Sequence, residues 1–139
     1  MTVIRTINYP NYSKEILKIR NYSYVRKSCL DQNKISYNDH LRWYKNFNNE
    51  KNIIKGIFIK KKLIGYVRIE ISNNKFASWY LEKKYWGKVN FYKILKNCTF
   101  KRKVRAKIKI NNIRSIIVAI KAGFNFEKKV NNSIYLIKN

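Results

Sequence analysis

Acidic side chains are scarce in this sequence: seven Asp and Glu stand against 32 Lys and Arg, a formal net charge of +25. Cysteine and histidine are scarcer still. Cys29, Cys98 and the single His40 are too few for a zinc cage, and the cysteines are too widely spaced for a redox motif. No metal site is expected. Long apolar runs are missing too, since none approaches the roughly 20 residues of a membrane helix. The opening MTVIRTINYP lacks the apolar core of a signal peptide. A cytoplasmic protein with no membrane partner is the expectation. Arginine clusters, which read base edges and grip phosphates with two prongs, are absent apart from Arg102 and Arg105. Lysine outnumbers arginine three to one and is spread along the whole chain. Lys, Asn and Ile together fill nearly half of it, and all three have A/T-rich codons. Compositional drift therefore explains much of the excess charge. Non-specific adsorption to nucleic acid at low salt follows either way.

What is present is a core. Apolar residues make up 45% of 139 positions, enough for one domain spanning 1–139 and too few for two comfortable ones. Thr2 to Asn8 alternates as a short strand, and Tyr9-Pro10-Asn11 breaks it. Ser13 caps a helix through Arg20, and Arg20 to Arg26 is a loop or a second short helical turn. Ser36 to Asp39 is a capping-box variant that opens an amphipathic helix carrying Tyr37, Leu41, Tyr44 and Phe47, flanked by His40 and Trp43. From Ile53 the period changes to two. IIKGIFI, LIGYVRIEI and KFASWYL form an antiparallel meander over 53–81, turning at KKK and at Asn73-Asn74.

The stretch from Lys75 to Phe100 organises the rest. KFASWYL is a strand, EKKYWGKV a basic crossing with one glycine, and NFYKILKNCTF a helix with Phe91, Ile94, Leu95 and Cys98 on one face. A strand feeding a basic turn that opens a helix is a common phosphate holder, because free N–H groups and the helix dipole face the anion. VRAKIKI then alternates Val104, Ala106, Ile108 and Ile110 with basic residues as a half-buried strand. Asn112 caps a helix with Ile113, Ile116, Ile117 and Ile120 that ends at Gly123. A last hairpin over Phe124 to Val130 and Ser133 to Lys138 turns at Asn131-Asn132. The expected fold is α/β with a mixed sheet flanked by helices, in the order β-α-α-β-β-β-α-β-α-β-β.

That order, with YLEKKYWGK after the fourth strand and Asn112 followed by the KAGF run (Lys121 to Phe124), resembles the GNAT superfamily of acyl-CoA N-acyltransferases over essentially the whole chain. RNYSYVR followed by ISYNDHLRWY is similar to the amino-sugar-nucleotide N-acetyltransferases of the pseudaminic-acid type. The YWGK piece is also similar to ribosomal-protein N-terminal acetyltransferases. The resemblance implies acetyl-CoA as cosubstrate, a small amine as acceptor, and a splayed pair of central strands with the pantetheine arm between them. Leu81 would offer main-chain groups to pantetheine, its N–H polarising the thioester oxygen. The amides of Trp86, Gly87, Lys88, Val89, Asn90 and Phe91 would meet the pyrophosphate, and Asn112 would sit beside the pantetheine arm. Arg20, Asn21, Arg26, His40 and Trp43 would line the acceptor side.

Two features depart from the family pattern. The loop carries Trp86, Val89 and Phe91 where the family has Gln or Arg and two small residues, and side chains of that size next to a pyrophosphate would block its approach. The family's tyrosine acid for the thiolate is replaced by Ala119, leaving water, Tyr80 or Tyr92 to supply that proton. Glu70 is the first candidate for the base, with Glu82 and Ser78 (through water) behind it. Two competing readings follow: a family member that keeps the fold but has lost turnover, and a basic nucleic-acid-binding protein.

Overall fold

The computed structural model describes residues 1–45, 52–71 and 75–139, with side chains for all of these except 43–45. Phe47 and the expected Asn73-Asn74 turn lie outside the described residues, as do the side chains of Trp43 and Tyr44. The elements run β1 (Thr2–Thr6), α1 (Tyr9–Asn21), α2 (Ser23–Ser28), α3 (Tyr37–Lys45), β2 (Asn52–Ile59), β3 (Lys62–Glu70), β4 (Ala77–Leu81), α4 (Phe91–Cys98), β5 (Val104–Lys109), α5 (Ile113–Lys121), β6 (Asn125–Val130) and β7 (Ser133–Lys138). A single 3-10 turn, Lys83–Tyr85, follows β4. Helix α1 begins four residues earlier than Ser13, because Pro10 sits in its first turn. There the missing N–H costs nothing and the fixed φ suits a helix, so this proline starts the element instead of interrupting it. Among the described residues no helix is long and apolar enough to cross a membrane.

The strands form two antiparallel sheets, ordered β1-β2-β3-β4 and β5-β7-β6. Among the described residues one parallel bridge, Phe76 to Arg105, joins them. The central strand β3 is buried almost continuously from Leu63 to Val67. One of its faces packs with Tyr9, Ile16 and Ile19 of α1. The other packs with α4, whose Phe91, Ile94, Leu95 and Cys98 recur at the helical period and are all buried. Helix α5 differs from its sequence pattern. Ala119 and Ala122 enter the core, while Ile113, Ile117 and Ile120 remain exposed.

Candidate active site

The sheets touch at one end of β4 and part towards the other. Arg105 N–H donates to the Lys75 carbonyl (2.8 Å) at the point of contact. On the β3 side, Glu70 N–H donates to Phe76 O (2.8 Å) and Glu82 N–H to Ile64 O (2.9 Å). In an antiparallel ladder these contacts fix the alternation: residues 76, 78, 80 and 82 turn their main-chain groups to β3, and 77, 79 and 81 turn theirs away. Trp79 and Leu81 therefore present N–H and C=O groups to the opening. The Leu81 carbonyl is engaged by the Trp86 indole Nε1–H (3.0 Å), which leaves its N–H aimed into the gap.

A cavity of about 350 Å³ fills the opening, with Trp79 and Leu81 on one wall and Asn112, Ser115 and Val118 on the other. Its mouth is the segment from Trp86 to Tyr92. The N–H groups of Trp86, Lys88 and Phe91 are spent internally, on the carbonyls of Lys83, Tyr85 and Val89. Those of Gly87, Val89, Asn90 and Tyr92 have no backbone acceptor among the described residues. Half of the expected phosphate-binding amides are thus already committed, and Tyr92 joins the free set. Phe91 is buried and Val89 packs partly on the same core, and both also line the cleft. Gly87 has φ +76° and open space where a Cβ would stand, so its backbone is free to approach a ligand. Lys88 is exposed and lies off the cavity wall. Arg114 stacks on the Trp86 ring (3.4 Å from Cζ to centroid), and Lys121 lies 5.7 Å from the Tyr92 ring. No carboxylate among the described residues lines this cavity, and its two charged lining residues, Arg114 and Lys121, are both cationic. Asn112 caps α5 by accepting from Ser115 N–H (3.4 Å) while it lines the cleft.

Tyr80 stands where this cleft meets two further cavities, of about 230 and 370 Å³, and lines all three. Burial pushes its phenol up, helped by the Cys29 thiol and opposed by the Arg20 guanidinium, a hydrogen bond with Ser78 and the Arg68 guanidinium. Cys29 is held up mainly by burial, and its Sγ–H donates to Val25 O (3.2 Å). Ser78 and Arg20 share the second cavity with Tyr80, so these three expected residues do come together. Glu70 does not join them. It lines none of these three cavities and lies four residues along β3 from Tyr66, the partner of Tyr80, about 13 Å away at strand rise. Glu82 pairs with Lys62 (3.5 Å). Asn21 clamps the chain ahead of α3, donating to Ile35 O (2.8 Å) and accepting from Ile35 N–H (2.9 Å). Arg26 Nε–H donates to Asn21 O (3.2 Å), which ties α2 to α1 away from the cavities. Trp79, Cys29, Arg114 and Tyr66 line these cavities without having been singled out as site candidates from the sequence. Only Trp79 carried a usable signal, its two-residue spacing from Leu81.

His40 lines the third cavity and is buried. Its Nε2 lies 2.9 Å from Ser13 O, and the Tyr9 hydroxyl contacts both ring nitrogens, Nδ1 at 2.8 Å and Nε2 more closely still. Burial lowers its pKa, partly offset by the Ser13 bond, and the ring is neutral at pH 7. The unfolded chain then binds this proton more readily than the folded one. Stability is fully present above the unfolded pKa near 6.5 and falls as pH drops below it. Urea unfolding between about pH 7.5 and 5 is expected to show this loss, with a slope of at most about 1.4 kcal/mol per pH unit from this residue. His40→Asn should flatten that part of the profile; an unchanged slope would assign it elsewhere.

No protein-family model matches the sequence, and no curated protein matches it either. Solved structures do. A domain from Methanocaldococcus jannaschii is 22% identical over 100% of this chain and 98% of its own, with a TM-score of 0.79. The aminoglycoside acetyltransferase AAC(6')-Ib, solved with paromomycin and acetyl-CoA, is 14% identical over 99% and 93%, at 0.80. Spermidine N-acetyltransferase from Vibrio cholerae, solved with CoA and spermine, is 13% identical over 98% and 92%, also at 0.80. The mixed α/β architecture, with its two antiparallel sheets parting beside β4, is the fold of the GNAT acetyltransferases.

Proposed function

We propose that this chain is an N-acetyltransferase that moves an acetyl group from acetyl-CoA to the primary amine of a small acceptor. The observation that carries the reading is the parted pair β4 and β5, with an uncommitted Leu81 N–H inside the gap and free amides at its mouth. The residues present fit the cofactor. Main-chain groups of Trp79 and Leu81 offer strand-like bonds to the pantetheine arm. The N–H groups of Gly87, Val89, Asn90 and Tyr92, backed by Arg114 and Lys121, suit a pyrophosphate. When bound, acetyl-CoA supplies the activated acyl thioester. Leu81 N–H would stabilise the thioester oxygen on which charge develops. Tyr80, kept protonated by burial, holds the proton that a departing thiolate needs. Ser78 beside it offers a route by which the amine loses its proton through water. The acceptor we favour is a nucleotide-linked amino sugar, from the RNYSYVR and HLRWY segments.

Ala119 motivates a second reading, a member of this fold that binds cofactor without turnover. It is fully buried in the core, so the usual position of the acid offers no proton. Calorimetric titration with acetyl-CoA comes first, and one-to-one binding is expected. An absence of heat at millimolar cofactor sinks both readings. Thiol release with a panel of amines then separates them, because binding without release leaves only the second.

A further inference from the structure

Helix α5 turns much of its apolar side outward. Ile113, Ile117 and Ile120, spaced i, i+4 and i+7, form one stripe along about 10 Å of helix and stand 57%, 46% and 56% exposed. The helix meets the core through Ala119 and Ala122 on its opposite side, so the stripe faces solvent. A single exposed isoleucine is ordinary, but a row of three on a helix of nine residues marks a contact surface. The stripe adjoins the cofactor cleft. Ile117 lines that cleft, as do Arg114 and Lys121, about one turn before and one turn after it, and both cations are exposed. No acidic residue occurs between Glu82 and Glu127, a span that contains α4, β5 and α5. Those two glutamates are themselves paired, with Lys62 (3.5 Å) and Arg105 (3.1 Å). The segment that carries the stripe thus contributes only positive charge around it.

Resting on the function proposed above, we infer that this stripe docks a small acidic carrier domain whose phosphopantetheine arm enters the cleft. The chain then takes its acyl group from a carrier protein as well as from acetyl-CoA. Position supports this donor. A partner seated on Ile113, Ile117 and Ile120 has the cleft within reach, because Ile117 belongs to both surfaces, and Arg114 and Lys121 stand ready for its carboxylates. The mouth supports it too. The N–H groups of Trp86, Lys88 and Phe91 are spent internally, and such an arm brings a single phosphate where coenzyme A brings a pyrophosphate and an adenosine. The transfer itself is unchanged. The acceptor nitrogen bonds to the acyl carbon and gives up a proton to water, the C–S bond breaks, and the arm's thiolate takes the proton that Tyr80 holds. A second copy of this chain is the poorer occupant. A two-fold interface sets one patch against itself, which here brings Arg114 and Lys121 towards their own counterparts. Nucleic acid matches the charge but not the stripe, since isoleucine has no ring on which a base can stack.

Docking is measured first with an apo acyl carrier protein, which lacks the arm and so reports on the stripe and not on the cleft. Calorimetry with the full chain at near-physiological salt is expected to show binding. The double substitution Ile113→Ser/Ile120→Ser should weaken it at least about 10-fold, as two isoleucines no longer leave water. Every cation is kept in that variant, so general attraction of an acidic protein to a chain of net charge +25 cannot mimic the loss. Its titration with acetyl-CoA should match the parent's, because neither residue lines the cleft. With the carrier acetylated on its arm, thiol release with the amine panel should occur and should fall in the variant at low carrier concentration. If the variant loses the parent's thermal transition, Ile120→Ser alone carries the comparison. Absence of apo-carrier binding, or binding that the substitutions leave unchanged, overturns the inference. So does docking without release from the acetylated carrier when acetyl-CoA is turned over. A concentration-dependent dimer, or binding to phosphatidylglycerol vesicles, that the substitutions abolish also overturns it, since a second copy or a lipid surface then covers the stripe. Failure of acetyl-CoA to bind in its own titration counts against the function itself, whatever the apo carrier does.

Discussion

Tyr80→Phe is expected to lower kcat by about 10²- to 10³-fold while acetyl-CoA binds as before, the scale of losing one general acid. The substitution removes a hydroxyl and keeps the ring, which packs 5.0 Å from Tyr66 and faces Arg20. Stability should fall by only about 1 kcal/mol, the worth of one hydrogen bond. The phenol is well suited to the role because its pKa is raised, first by burial. It stays protonated through the neutral range and needs no tuning to hold its proton until a thiolate forms. The wild-type rate should therefore show no acid-group limb below about pH 10, the ordinary tyrosine value. Above that value a descending limb should appear, and it should vanish in the variant. Thiol release followed against pH reads both. A loss smaller than about five-fold would pass the proton to water or to Tyr92, which lines the cleft nearer its mouth.

The sequence carried the order of elements well because periodicity changes sharply along it. Alternation in VRAKIKI and the helical spacing of Phe91, Ile94, Leu95 and Cys98 each point one face inward, and burial follows both patterns. Pro10 misled because a proline reads as a break unless the following residues are known to coil. The isoleucines of α5 misled differently. Their spacing suggested a buried stripe, yet the helix approaches the core through the small Ala119 and Ala122 and leaves Ile113, Ile117 and Ile120 outside. The cofactor cleft was legible as a place, since Leu81, Trp86 and Asn112 are local features of the chain. Its chemistry was not. Which amides are free depends on turns that local sequence does not determine. The separation of Glu70 from Tyr80 is a matter of strand register, set by contacts between β3 and β4. Arg20, Cys29 and Tyr80 lie far apart in sequence, and only the packing of α1 and α2 over β4 gathers them.

Gly65→Ala is the second large effect, and its cause is space, since no left-handed backbone is involved. Gly65 pairs with Leu81 across β3 and β4. A Cβ built there would stand 2.5 Å from the Tyr80 carbonyl oxygen and 3.2 Å from Leu81 Cα. Main chain cannot swing aside as a side chain does, so β4 must shift. The cost is that of an overpacked core, about 1–3 kcal/mol. The displaced segment holds both the Leu81 N–H that faces the gap and the Tyr80 side chain, and a 1 Å misplacement of such groups lowers rates by about 100-fold. Gly56 offers the contrast. A Cβ there meets the Phe58 ring at 2.8 Å and the tips of Ile7 and Leu63 at 3.0 Å, all side-chain atoms and none of them main chain. Gly56→Ala should therefore cost less stability and leave turnover nearly unchanged. Urea unfolding and thiol release, measured together on the two variants, test the ordering. If Gly65→Ala is as stable and as active as the parent, β4 is not held by this close approach, and the position of Leu81 has another cause.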